Sequence, residues 1–185
     1  MHIYISVDME GVAGVATTAQ LDPGSYGYPR AQELMTGEAN AAIAGAFVGG
    51  ADAVTVADSH GTMDNLIAEQ LDPRARLVFG TPRVHAMVAG VEAGVDAAMF
   101  IGYHAAAAEP GVLSHSFSGR FVGVRLDGEP VSEAELNALQ CARYGVPLVL
   151  VSGDDVICAR VAGRLPGTST VAVKRALGWT AADSM

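Results

Sequence analysis

Asp8 and Glu10 stand two residues apart, directly after an apolar run, in Ser6-Val7-Asp8-Met9-Glu10-Gly11. In extended backbone both side chains leave the same side, with α-carbons roughly 6–7 Å apart. Carboxylates that close repel unless a proton or a cation lies between them. A divalent cation removes the conflict without discharging either group; otherwise Asp8 caps the following segment and Glu10 faces water. His60 and His104 repeat the placement, in Asp58-Ser59-His60-Gly61 and Gly102-Tyr103-His104. Neutral imidazole is the commonest metal ligand, and zinc accepts nitrogen and oxygen donors together. A hydrogen-bonded, partly buried histidine explains either one alone; both beside two carboxylates favour a metal. Glu133, in Val131-Ser132-Glu133-Ala134-Glu135-Leu136-Asn137, reads on pattern alone as a helix surface residue, with Asn137 on the same face four positions later. His115, in Gly111-Val112-Leu113-Ser114-His115-Ser116, suits acid–base work or an oxyanion donor, or a structural histidine. His2 and His85 receive no role.

Positioning these groups requires strands that end where they begin. Apolar runs predict strands at His2–Val7, Ala53–Ala57, Arg76–Phe79, Ala97–Ile101, Pro147–Val151 and Thr170–Val173. Helices are expected over Arg30–Val48, ended by Gly49-Gly50, and over Met63–Gln70, Pro82–Ala93, Ser132–Tyr144 and Asp154–Arg164. Ser132 with Glu135 has the spacing of a capping box. Val112–Phe117 and Arg120–Leu126, joined by Ser118-Gly119 and followed by the turn signal Asp127-Gly128, read as an inserted β-hairpin or meander. Strands alternating with helices imply an α/β fold, three-layer αβα with a mostly parallel sheet and a β-hairpin insertion. In such sheets ligands bind outside the carboxyl ends of the strands, where Asp8, His60 and His104 fall.

Residues 1–185 suit one domain, and 50% hydrophobic residues can fill a core. The formal net charge of −9 without a Lys/Arg run argues against nucleic acid and against anionic membrane surfaces. No apolar run reaches the roughly 20 residues of a membrane helix, and the start lacks a secretory pattern, so a cytoplasmic enzyme is expected. Cys141 and Cys158 are not spaced for a metal and read as buried free thiols. There is no Gly-x-Ser-x-Gly elbow, Gly-x-Gly-x-x-Gly loop or Walker lysine.

Ser6 to Gly11, Asp58-Ser59-His60, Gly102-Tyr103-His104, Gly111 to Ser116, Glu133 to Asn137 and Ala172-Val173-Lys174 occur in the order found in the DppA-type D-aminopeptidases, peptidase family M55, which the chain resembles over nearly its whole length. The resemblance implies two zinc ions per subunit. Asp8 would bridge them, Glu10 and His60 would complete one site, and His104 and Glu133 the other. His115 matches the family's catalytic histidine. The implied activity is removal of N-terminal D-amino acids from short, D-alanine-containing peptides, in a ring-like homo-oligomer. Attack by metal-held hydroxide, with His115 stabilising the oxyanion or protonating the leaving amine, suits this site better than direct attack by His115. Paired metals ~3.5–4 Å apart can hold water and polarise the amide together. The family continues beyond the position of Met185, so the chain is expected to lack its C-terminal portion. A metallophosphoesterase and a non-catalytic metal- or peptide-binding remnant are the rival readings.

Overall fold

A computed structural model describes residues 1–185. Its centre is a seven-stranded sheet built from β1 (His2–Val7), β2 (Ala53–Asp58), β3 (Ala75–Val78), β4 (Ala97–Tyr103), β7 (Leu148–Asp154), β8 (Ser169–Gly178) and β9 (Ala181–Ser184). The order is β3-β2-β1-β4-β7-β8-β9. All pairs are parallel except β8 with β9. The chain leaves β1 outward through β2 and β3, then returns to β4 on the other flank of β1. That reversal opens a crevice at the carboxyl ends of β1 and β4, the usual ligand position in such sheets.

Alternation along the strands sorts two cores. Ile3, Ile5 and Val7 face one side of the sheet, under Ala31, Met35, Ala39 and Ile43 of α1 (Tyr28–Val48). The four-residue spacing of these positions keeps one helical stripe on the sheet. Tyr4, Ala98, Phe100 and Val151 face the other side, against Ala134 and Cys141 of α2 (Glu133–Ala142) and Ile157 and Val161 of α3 (Asp155–Arg164). Three layers result, and the α/β class expected from the alternating pattern is the one formed. No helix is long and apolar enough to cross a membrane.

Several expected boundaries move for local reasons. α1 begins at Tyr28 rather than Arg30, because Pro29 is well suited to the first helical turn. The helix expected over Met63–Gln70 shrinks to a single 3₁₀ turn at Ala68–Gln70. There the Asp58 carboxylate takes the backbone N–H groups of Asn65 and Leu66, and Met63 has a positive φ of 60°. Pro82–Ala93 becomes two 3₁₀ turns, Ala86–Val88 and Val91–Ala93, separated by Gly90 at φ 101°. The strands expected within Val112–Phe117 and Arg120–Leu126 do not pair with each other; only a single bridge, Ser116 to Ser118, forms there. The hairpin instead joins β5 (Arg125–Leu126) and β6 (Glu129–Pro130) around Asp127-Gly128, both at positive φ. The last expected strand, Thr170–Val173, lies in the first half of a longer β8, and β9 follows it as an antiparallel edge unseen in the sequence.

Cys141 and Cys158 are buried free thiols. Burial pushes them up to about 12 and about 11 respectively, and reaction requires the thiolate. Native protein at pH 8 should therefore leave both thiols unmodified by Ellman's reagent until guanidinium exposes them. Rapid labelling of either in the native state would contradict this packing.

Candidate metal centre

The first strand delivers its carboxylates through a backbone clamp. The Asp8 N–H donates to Ile101 O at 2.8 Å, and the Gly11 N–H to Gly102 O at 2.7 Å. After Asp8 the chain turns rather than staying extended, with the Val12 N–H closing back on Met9 O. Gly11 is required by proximity: a Cβ there would lie 2.0 Å from the Tyr103 carbonyl oxygen. The turn nonetheless keeps Asp8 and Glu10 on the same site, only 2% and 3% exposed.

His60 follows β2. Its Nδ1 lies 2.9 Å from Glu10 Oε2 and 3.4 Å from Asp8 Oδ1, while Nε2 is 3.0 Å from Leu21 O. Asp58 holds the following loop by accepting from Asn65 Nδ2 and from the N–H groups of Asn65 and Leu66. His104 follows β4. Its Nδ1 is 2.9 Å from Ala105 O, and Nε2 is 3.5 Å from Asp8 Oδ2 and 3.3 Å from Glu133 Oε1. In each imidazole one nitrogen sits on a backbone carbonyl and the other faces carboxylates. Donation of the outer N–H to a carbonyl fixes the tautomer of a metal-ligating histidine.

Glu133 opens α2, buried rather than on the surface its pattern suggests. Its Oε1 accepts from the Phe117 N–H at 2.7 Å. The capping box forms: Ser132 Oγ accepts from the Glu135 N–H, and Glu135 Oε2 accepts from the Ser132 N–H at 2.6 Å. Arg160 and Arg164 grip Glu135 from α3. Burial raises the Glu135 carboxyl, but the Arg160 guanidinium and the Ser132 donors outweigh it and hold it below its ordinary 4.5. A depressed carboxyl contributes stability above its unfolded value and loses it as pH falls through the folded one. Glu135→Gln should cost about 1.5–3 kcal/mol at pH 7, the range for hydrogen bonds to charged groups. In denaturant titrations the gap to wild type should narrow as pH falls below about 4.5; a gap unchanged down to pH 3 would contradict this.

His115 lies in a loop, not a strand. Leu113, at φ 53°, donates its N–H to Trp179 O at 2.7 Å, and Val112 donates to Asp154 Oδ2 at 2.7 Å. The His115 ring stacks on His104 with centroids 4.2 Å apart and planes 9° from parallel. Its Nε2 is 3.9 Å from both Glu10 Oε1 and Glu133 Oε1, and its side chain is 24% exposed. It forms part of the wall of a cleft of about 400 Å³ whose floor holds Asp8, Glu10, His60 and Glu133.

Two donor sets share Asp8: Asp8, Glu10 and His60 in one, Asp8, His104 and Glu133 in the other, with the ligand atoms of each within 4.8 Å of one another. Glu10, His104 and His115 make a third set. All six residues singled out in the sequence thus converge. Without a cation, protons hold the cluster together. Burial opposes charge on His60 and His104, but Glu10 and Glu133, with Asp8, outweigh it and raise the two imidazoles to about 12 and about 10. Burial and the Glu10 charge lift Asp8 to about 7. His104 Nε2 is buried yet makes no hydrogen bond, and a buried polar atom without a partner needs an explanation. A cation between it and the carboxylates gives one. Mixed nitrogen and oxygen donors without thiolate fit zinc.

Under the site lies a polar network that the sequence did not single out as a unit. Ser6 Oγ shares hydrogen bonds with Ser59 Oγ and the Tyr103 hydroxyl, each at 2.7 Å, and Asn137 Nδ2 donates to the Tyr103 hydroxyl at 3.1 Å. Ser6 and Asn137 carried the only legible signal, a polar residue inside an apolar strand and one on the Glu133 face.

Residues 1–185 match the peptidase M55 family model, described as D-aminopeptidase. A D-aminopeptidase of Bacillus subtilis (strain 168) is 41% identical over 184 residues, covering 98% of this chain. The chain spans 66% of that relative's length. A solved structure, the Zn-dependent D-aminopeptidase DppA from Bacillus subtilis, described as a self-compartmentalizing protease, superposes with a TM-score of 0.95 at 39% identity. That match covers 100% of this chain and 68% of the other. With the whole chain inside the family model and the fold shared throughout, the protein belongs to the M55 family of D-aminopeptidases.

Proposed function

We propose that this chain carries the catalytic centre of a zinc-dependent aminopeptidase that removes N-terminal D-amino acids from short peptides. Two zinc ions per subunit would be held by Asp8 between them, by Glu10 and His60 on one side, and by His104 and Glu133 on the other. The observation that carries this reading is the single Asp8 carboxylate shared by two donor sets. Zinc, when bound, supplies Lewis acidity toward the amide carbonyl and a water that ionises near neutral pH.

The protein's own groups do the rest. Apart from the proposed zinc ligands, the cleft lining offers the Asp22 carboxylate and no lysine or arginine, so a peptide N-terminal ammonium has a free carboxylate to meet, whereas a phosphate monoester gains no protein cation beyond the metals. This favours the peptidase over the phosphoesterase reading. His115 Nδ1 lies 2.9 Å from Leu113 O, which orients the ring and leaves Nε2 directed at the site to deliver a proton to the leaving amine. Preference for D-residues rests on family membership. Assembly into a compartment, as described for the Bacillus structure, would cover Val122, 93% exposed, and the neighbouring Phe121 and Trp179. Two buried unpaired thiols suit the reducing cytoplasm.

The test is hydrolysis of D-Ala-D-Ala, L-Ala-L-Ala and p-nitrophenyl phosphate by zinc-loaded protein, beside zinc content per subunit. Turnover confined to the D-peptide supports the reading; cleavage of the phosphate ester alone would replace it. Zinc uptake without turnover of any substrate would leave a binding remnant.

A further inference from the structure

Lys174 sits on β8 with 3% of its surface exposed and makes no ion pair. Its ammonium donates to three backbone carbonyls, those of Glu10, Val12 and Val15, at 2.5–2.9 Å. An ammonium carries three N–H donors, so every one is spent on the turn that follows Asp8. The inner side of that turn is fixed by Gly11 against the backbone of residues 102 and 103. Its outer side is fixed by Lys174 and by Glu38, whose Oε1 accepts from the Ala13 N–H at 2.7 Å. The Glu10 carbonyl is therefore anchored from β8 while its carboxylate faces His60.

We propose that Lys174 is a positioning residue for the cation site, holding Glu10 in ligating geometry through its main-chain carbonyl. This rests on the reading of Asp8, Glu10 and His60 as zinc ligands. The proposal has a sign that plain electrostatics reverses. A buried positive charge beside a dication opposes its binding, so if charge alone mattered, neutralising Lys174 would tighten zinc. If position matters more, neutralising it weakens zinc, because three carbonyls lose their common partner and the turn relaxes.

The experiment titrates the metal-free 185-residue chain with Zn²⁺ against a chromophoric chelator and records the visible spectrum of the Co²⁺-loaded protein. Circular dichroism and thermal melting confirm that each variant is folded. Lys174→Met should bind zinc at least tenfold more weakly than wild type, with an altered Co²⁺ spectrum. Unchanged or tighter zinc with a wild-type spectrum would overturn the proposal. If Lys174→Met yields no folded protein, Lys174→Gln is read the same way: weaker zinc supports the proposal, and unchanged or tighter zinc overturns it. Wild-type protein that fails to take up zinc would remove the metal reading itself, a result distinct from a variant that matches a zinc-binding wild type.

Discussion

His115→Ala should retain the zinc content of wild type and lose roughly 10²- to 10⁴-fold in kcat, the usual contribution of a positioned acid–base group, with little change in KM. Distances motivate this split. The His115 Nε2 stands 3.9 Å from the Glu10 and Glu133 carboxylates, whereas His60 and His104 approach their carboxylates to 2.9 Å and 3.3 Å. His115 is also the member of the six with a partly open side chain, as a group meeting substrate must be. The ring's stacking on His104 means the variant loses a packing surface as well, so metal analysis must accompany the kinetics. A variant that loses zinc in step with activity would make His115 a ligand, in line with its place in the third donor set.

Asp8→Asn should have the larger effect on metal. The substitution preserves shape but removes the charge that both donor sets share. Zinc affinity should fall by more than ~100-fold, beyond what loss of an outer-sphere partner costs, and turnover should fall with it. The metal-free protein should move the other way. Asp8 is buried beside Glu10, and both burial and that neighbouring charge oppose its ionisation. The amide relieves that conflict, so the metal-free variant should melt higher than metal-free wild type, by about 2–4 °C for each kcal/mol gained. Differential scanning calorimetry with and without zinc reads both effects. A metal-free variant that melts lower, or a variant that still binds two zinc ions tightly, would contradict a shared ligand at this position.

Much of this site was legible because parallel strands advertise their ends. An apolar run that stops at Asp8, His60 or His104 marks both the strand and the group at its carboxyl edge. Glu133 was legible only through its neighbours. Ser132 and Glu135 announced a helix start, but burial of Glu133 depends on α2 packing its first turn against the crevice, which no local pattern encodes. The lost helices have similar causes. The stretch from Met63 to Gln70 has helical composition, yet the Asp58 carboxylate takes two of the N–H groups a helix needs. Between Pro82 and Ala93 the periodicity misled because Gly90 adopts a left-handed backbone. Lys174 belonged to a stretch that carried the family resemblance, but nothing local gave it a role, since a lysine in a strand usually faces water and its burial appears only when β8 is placed beside β7.

That placement sets an order on the making of the protein. Lys174 follows Glu10 by 164 positions, so the turn bearing the first two acidic groups emerges from the ribosome long before its anchor. Contacts so distant along the chain are late to close, since the intervening loop must first be ordered. Until β8 docks, the carbonyls of Glu10, Val12 and Val15 lack the ammonium that joins them, so on the positioning role proposed for Lys174 the candidate cation site is not set before then.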